Sequence, residues 1–437
     1  MRSLRSNRRL TIRWLAGLLV LLVSAGTGYC QRIAALGTPQ VAPAPKTSIR
    51  LANLIDIALE RNPELKAAGF EIEAARGRAV QAGLYPNPVI TIVGDELGDR
   101  TGPKGVNTLP LVTQEIVTAG KLRLARSVAE RETDLAGLVL ARQRLILLTT
   151  VRLGYFEVIA GQRRVEVLTK LVGQATESSN NAKKLVGAGQ AAKQDGYQFE
   201  IELERLTAEK EAAERELAAA WRRLAASMGV PTLPYPQLEG KLDAAIPEYD
   251  FERARVYVIA VHPEARFAEV AITRADLFVK YQQALRVPNI AIGAGYVRQN
   301  QNQSSDYTLQ LSVPVPLFNR NQGNIRSAQA SYSRATVDRE SVQNDLTKRL
   351  ATAYGQYAAS KARVERFRKT ILPKAEESYK LTLAAFKGVK FEYLSVLQAQ
   401  GVNKEANLTY IQAQLDLWRA GSEIAGLLGE EEWPFQK

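Results

Sequence analysis

One cysteine, one histidine and two methionines are the only soft metal-binding side chains in 437 residues. A single cysteine excludes an internal disulfide framework and a four-thiolate zinc site. A single histidine removes most histidine-based metal centres and most base–nucleophile pairs. Two methionines exclude a methionine-lined metal path. The 45 aspartates and glutamates form no group with a nucleophile or a ligand set. No catalytic residue, metal site or cofactor is therefore expected, and the chain reads as a protein that is not an enzyme.

Basic stripes and long apolar runs are also scarce. The formal charge is +13, but no basic run carries interleaved aromatics, so nucleic acid is not an expected partner. Part of the excess comes from Arg2, Arg5, Arg8, Arg9 and Arg13, in a stretch (1–30) that holds no acid. The remaining 53 basic and 45 acidic residues are spread along the chain. The apolar run from Trp14 to Val23 falls short of the ~20 residues a spanning helix needs. With its arginines before it and the small residues Ser24–Gly28 after it, it reads as a secretory signal over 1–30. Residues 31–47, with Pro39, Pro43 and Pro45, read as an extended linker. No other stretch is read as a membrane-spanning helix. Cys30 stands where a lipidated cysteine would stand. However, Thr27-Gly28-Tyr29 has no aliphatic residue three places before it and a bulky one directly before it, which favours an unmodified thiol.

What is present is a tandem repeat with an offset near 200 residues. Asn62-Pro63-Glu64 returns as His262-Pro263-Glu264, Pro88 as Pro288, Ala175 as Ala375, and Met228-Gly229 as Leu428-Gly429. The shared offset predicts two structural repeats, 48–245 and 246–432, and a tail over 433–437. Each repeat starts with a helical pattern (Leu51, Leu54, Ile55, Ala58 and Leu59; Val256, Ile259 and Ala260) that is interrupted at Pro63 or Pro263. Two extended segments follow, then a very long helix, a glycine-containing turn and a return helix.

Strands are expected near 88–97, 108–117, 288–298 and 306–316. Tyr307, Leu309, Leu311 and Val313 alternate with Thr308, Gln310 and Ser312, a strict period of two. Ile290, Ile292, Ala294 and Tyr296 likewise share a face. The first pair of strands alternates less cleanly and is placed mainly by the repeat. Apolar-out, polar-in strands of this length suit an outer-membrane barrel, and a half-buried soluble sheet has the same alternation. Two hairpins framed by long helices favour the barrel. Four strands cannot close one, because an unpaired edge cannot face lipid. Three chains would supply 12 strands.

The helices are long for a globular protein. Lys121 to about Val186 would span roughly 100 Å at 1.5 Å per residue, and Lys193 to Met228 roughly 50 Å. Asn324 to Phe386 is comparable to the first, with a kink or break expected at Pro373. The fold class is thus mainly α with a small β part: long-helix hairpins forming a trimeric tunnel topped by a shared barrel.

In Leu51-Ala-Asn-Leu-Ile-Asp-Ile-Ala-Leu-Glu-Arg-Asn-Pro-Glu-Leu-Lys-Ala67, Leu84-Tyr-Pro-Asn-Pro88, Gln114-Glu-Ile-Val-Thr-Ala-Gly-Lys121, Pro314-Val-Pro-Leu-Phe318, Leu372-Pro-Lys-Ala375 and Leu427-Leu-Gly429, the chain resembles the TolC-like outer-membrane factors of tripartite efflux pumps. The segment 114–121 is most similar to the cobalt-zinc-cadmium (CzcC-like) branch. The resemblance covers essentially all of 48–432. It implies a homotrimer in outer-membrane lipid that works with a periplasmic adaptor (membrane fusion protein) and an inner-membrane efflux pump. It implies a passive channel for the pump's substrate, in this branch divalent heavy-metal cations.

The resemblance also implies site residues. Adaptor docking falls on the helix–turn–helix tips, at Val186, Gly187 and Gly189 in the first repeat and Lys387, Gly388 and Val389 in the second. The first tip departs from the family pattern with Gln190-Ala-Ala where a hydroxyl residue is usual. Asp195 and Glu392, just after the tips, are candidates for a periplasmic gate, although acids in a first helical turn are also favoured by the helix dipole. Tyr85, Tyr296 and Tyr307 are candidates for an interfacial aromatic girdle. A pore-less periplasmic adaptor or coiled-coil scaffold would share the signal and the long helices. It would carry one helical hairpin between compact β domains, rather than two hairpins and duplicated strands.

Overall fold

The computed structural model describes residues 49–95, 106–243, 246–299, 303–387 and 393–433. Both halves present the same order of elements. The first runs α1 (Leu51–Arg61), α2 (Pro63–Ala82), β1 (Val89–Asp95), β2 (Val106–Ile116), α3 (Lys121–Gly187) and α4 (Lys193–Ser227). The second runs α5 (Phe251–Val261), α6 (Pro263–Ala284), β3 (Ile290–Gln299), β4 (Ser304–Ser312), α7 (Gln322–Arg366), a π-helical turn (Phe367–Ile371), α8 (Leu372–Lys387) and α9 (Tyr393–Leu428). The signal segment 1–30 and the linker 31–47 lie outside the described residues.

Helix starts and stops follow local chemistry. Pro63 and Pro263 take the first helical position, where the missing N–H costs nothing. Asn62 caps α2: its Oδ1 accepts the N–H groups of Glu64 (2.8 Å) and Leu65 (3.1 Å). Its Nδ2 donates to the Ser227 carbonyl at the end of α4 (2.9 Å). His262 caps α6 in the same way, its Nδ1 accepting the Glu264 N–H at 3.2 Å. The long helices begin after residues in the left-handed region at matched places, Gly120 (φ 65°) and Asn321 (φ 59°). Helix α4 ends in a Schellman turn at Gly229 (φ 82°), whose N–H donates to Ala226, while Val230 donates to Ala225. A Cβ on Gly229 would lie 2.9 Å from Pro63 Cδ and 3.0 Å from the Arg61 carbonyl. That glycine lets the end of α4 close on the joint between α1 and α2.

Helix α3 has 67 residues, about 100 Å of rise. Along its N-terminal part it packs on α2 and α6, and farther along on α9 and α4. Its pairing with α4 is antiparallel, laced by Glu157–Arg223, Arg164–Glu216 and Lys183–Glu200. These pairs are exposed and fix register more than they stabilise. By length and composition a stretch of α3 is apolar enough to cross a membrane, which the sequence reading did not anticipate. Half of that stretch is buried inside the fold, so core packing accounts for its apolarity.

Of the kink or break expected at Pro373, the chain shows no break. The chain stays helical from Gln322 to Lys387, and the π-helical turn Phe367–Ile371 sits directly before Leu372-Pro373. The wider turn re-routes the backbone hydrogen bonds just where proline cannot donate.

The main core lies around the middle of α3. Phe156 stacks on Trp418 (4.2 Å between centroids), and Trp433 meets Trp418 edge-on at 5.7 Å. Trp433, which the sequence places at the start of a tail, is 1% exposed. Arg152 explains why. It is fully buried, donates to the carbonyls of Glu430 and Glu431, and lies 5.6 Å from the Trp433 ring. Glu430, Glu431 and Trp433, beyond the end of α9, are thereby fastened to α3. A second core joins α5, α7 and α9 (Val258, Leu346, Leu350, Tyr357 and Ile424), and a third joins α3, α4 and α9 near the tip (Ala182, Phe199 and Val396).

His262 is the only histidine in the chain, and it is buried. Burial holds its imidazole below the ordinary value; nearby Glu264 raises it, while Arg349 and Arg142 push it further down. A histidine lowered on folding stabilises the fold above its unfolded pKa of about 6.5, and that contribution is lost as pH falls through the depressed folded value. Protonation would also remove the acceptor that caps α6. Unfolding by denaturant at pH 7.5 and pH 5 is expected to show a smaller loss on acidification for His262→Asn, which copies the cap of the first repeat. An equal loss in both proteins would show that this cap is not the acid-sensitive group.

Candidate functional site

The four strands form one antiparallel sheet in the order β1-β2-β3-β4. The β2–β3 pair joins the two halves, and β1 and β4 are the edges. The expected fourth strand ran to 316; it ends at Ser312, because Pro314 and Pro316 have no N–H to continue the ladder. The blurred alternation of the first pair also has a cause. The register slips between Thr91 and Val93 and between Thr108 and Leu111, and Pro110 sits within the second slip. Such bulges bend a strand and re-aim its side chains.

The register divides the sheet into two unlike faces. Ile292 pairs with Leu311, Ala294 with Leu309 and Tyr296 with Tyr307. Ala294 also pairs with Val112, and Val112 with Ile90, so one apolar face crosses all four strands. It is open: Leu309 is 85% exposed and Ile92 70%. The opposite face carries Gly293 beside Gln310, Gly295 beside Thr308, and Ala291 beside Ser312 and Glu115. It is crowded as well as polar. A Cβ on Gly295 would lie 3.1 Å from both Leu111 Cα and Thr308 Cγ2, as expected of the concave side of a curved sheet.

A polar joint links this sheet to the helices. Asn289, just before β3, donates to Glu115 Oε1 of β2 (2.6 Å) and accepts from Lys121 Nζ at the start of α3. Thr118 Oγ1 donates to the Pro288 carbonyl at 2.7 Å. Lys121 is 6% exposed. Burial lowers its ammonium, and the Glu115 carboxylate works in the opposite direction. The motif 114–121, used for resemblance, thus acts as a clamp between the strand–helix junctions of the two halves. Sequence reasoning missed Asn289, whose only signal was the repeated Pro88 and Pro288.

The first tip is a Schellman turn. Gly189 (φ 72°) donates to the Val186 carbonyl (3.0 Å) and Gln190 to the Leu185 carbonyl (2.8 Å). Gly187 and Gly189 are exposed, and Val186 is half-buried. Asp195 stands in the first turn of α4, its carboxylate accepting the Ala192 N–H at 3.3 Å. Lys387 ends α8. Gly388, Val389, Glu392 and Cys30 lie outside the described residues. Tyr85 is 64% exposed, Tyr307 87% and Tyr296 37%. Among the described residues no group of three or more His, Cys, Asp or Glu side chains is placed to hold a metal ion.

This geometry matches a known class. The family of outer membrane efflux proteins matches the chain twice, over residues 54–230 and 258–430. The chain belongs to that family. It is an outer-membrane channel of tripartite efflux systems, not an enzyme, and this sets aside the pore-less adaptor. It is 27% identical over 393 residues to the cobalt-zinc-cadmium resistance protein CzcC of Cupriavidus metallidurans, covering 90% of this chain and 92% of that protein. It is 24% identical to the nickel-cobalt-cadmium resistance protein NccC of Alcaligenes xylosoxydans xylosoxydans, over 76% and 75% of the two chains. Among solved structures the fold is similar to CusC (TM-score 0.76, 16% identity, 89% of this chain and 95% of that one). It is also similar to the outer membrane protein VceC of Vibrio cholerae (TM-score 0.73, 20% identity, 87% and 96%).

Replacing Asn289 by alanine removes the acceptor of a buried ammonium and a donor to Glu115. The expected loss is about 1.5–3 kcal/mol, the range for hydrogen bonds to charged groups. A shift in denaturation midpoint worth less than about 0.5 kcal/mol, the size of an ordinary surface substitution, would deny the joint a structural role.

Proposed function

We propose that three copies of this chain form one outer-membrane channel that receives divalent heavy-metal cations from an inner-membrane pump through a periplasmic adaptor. One observation carries the assembly: an open sheet with an exposed apolar face and two edge strands. Edge N–H and C=O groups cannot be left bare in hydrocarbon. The economical remedy is to pair β1 of one copy with β4 of the next. Three copies would close 12 strands, with the apolar face toward lipid and the glycine-rich polar face around a bore. Tyr85 on one side and Tyr296 with Tyr307 on the other suit the two girdles of such a barrel.

The cation assignment rests on the metal-resistance names of the relatives. Docking of the adaptor is assigned to the two tips, at Val186, Gly187 and Gly189 and at Lys387, Gly388 and Val389. Gating is assigned to Asp195 and Glu392, which three-fold symmetry would turn into acid rings that favour cations. Cys30 is kept as the candidate lipidation position. The two repeats, 48–245 and 246–432, are read as the duplicated unit of the tunnel.

The test is the mass of detergent-extracted protein from an outer-membrane fraction, followed by bilayer conductance. A trimer that conducts, with Asp195→Asn lowering the cation-over-anion permeability ratio, is expected. A water-soluble monomer would overturn the channel. A conducting trimer with an unchanged ratio would remove Asp195 from the gate.

A further inference from the structure

The hairpin end of the sheet carries a charge that conduction does not use. Arg298 is the only lysine or arginine in the four strands. It pairs in register with Ser305, two residues beyond the Tyr296–Tyr307 pair. Alternation therefore puts it on the apolar, outward face. Hydrogen bonds agree: Tyr296 Oη donates to Ser305 Oγ (2.5 Å), and Arg298 Nη1 donates to the same oxygen (3.0 Å) and to the Gln303 carbonyl (2.8 Å). Tyr296 and Tyr307 meet edge to face beneath it at 6.1 Å. Asp306 and Glu115 fall on the other face by the same register. Among the described residues Arg298 has no acid partner, and its Nη2 and Nε make no hydrogen bond.

An arginine on the lipid face is costly at the bilayer centre and nearly free at the interface. Arg298 lies eight residues beyond Ile290 at the helix end of β3. That is ~26 Å along the strand and ~20 Å along the normal at a tilt near 40°. The residue is thus at the outer rim of the apolar band, at the height of the outer-leaflet headgroups. Among the described residues the guanidinium is held by one nitrogen and the rest of its planar fork has no partner, the arrangement that suits a phosphate.

We propose that Arg298 binds the phosphate groups of outer-leaflet glycolipid headgroups, with the tyrosine pair marking the boundary of the acyl chains below. The proposal rests on the outer-membrane trimer described above and extends it to three phosphate-binding positions at the rim. The full-length detergent-extracted trimer is titrated with a phosphorylated outer-membrane glycolipid and with the same lipid after dephosphorylation, and bound lipid is counted by native mass spectrometry. Wild type is expected to prefer the phosphorylated lipid by about five-fold, the effect of one basic group at an anionic surface. Arg298→Gln is expected to erase the preference at unchanged trimer mass. Arg298→Lys is expected to keep part of it, since charge remains and the fork is lost. No preference in wild type, or an undiminished preference in Arg298→Gln, overturns the proposal. A protein that forms no detergent-dependent trimer instead overturns the channel reading on which it rests.

Discussion

Unpaired backbone at the edges of a four-stranded sheet is the constraint on which the rest of this structure depends. The apolar face asks for lipid, while edge amides in lipid ask for partners. Only other strands satisfy both. Closure then demands curvature, and the chain supplies it in two ways. Bulges near Thr91 and Pro110 bend the first pair of strands. Gly293 and Gly295 empty the concave side of the second, where a side chain would press on Thr113, Leu111 and Thr308. The two hairpins reach similar ends by different means because their sequences have diverged while the sheet they share has not.

The same divergence runs through the helical part. Asn62 and His262 occupy one structural position and cap their helices with different atoms. Gly120 and Asn321 both enter a long helix from the left-handed region, which asparagine tolerates better than most residues. Gly229 is wedged against Pro63, whereas a Cβ on its counterpart Gly429 would come no nearer than 4.0 Å to Leu145. The duplicated plan is therefore held by backbone geometry at the joints more than by matching side chains. Single residue matches across the repeat are weak for that reason, while the shared offset is strong.

Periodicity made most of the fold legible. The alternation of β3 and β4, the length of α3 and the proline-marked joints all lie in local sequence. Long-range partners did not. Nothing near residue 433 signals that Trp433 will pack edge-on against Trp418, because the cause, Arg152, lies far away in α3. Asn289 is equally silent until β3 is laid beside β2. Of the kink or break expected at Pro373, no break occurs: the irregularity takes the form of a π-helical turn just before the proline, and composition alone does not distinguish that turn from a helix end. At the tips, glycine spacing found the turn at Gly189, but spacing alone does not separate a cap from a contact surface. Asp195 shows the difficulty, since its carboxylate already serves the start of α4.

The scarcity of soft ligands takes on meaning once the residues are placed. His262 is 6% exposed and turned to its own helix, and Met228 is fully buried. Neither lies open to a passing ion. The charged groups of the strands are sorted by the register, with Glu115 and Asp306 on the concave face and Arg298 on the convex one. A conducting path must attract its ion without holding it. Imidazole and thioether donors hold transition metals tightly, whereas carboxylates act on a hydrated cation at a distance comparable to the Debye length, ~10 Å at 0.1 M salt. In the proposed trimer, a metal cation on the concave side of the described strands would meet oxygen donors and diffuse charge. On that proposal, tight selection of the metal would fall to the pump and adaptor, and the channel's own contribution would be an unobstructed path whose carboxylates attract cations.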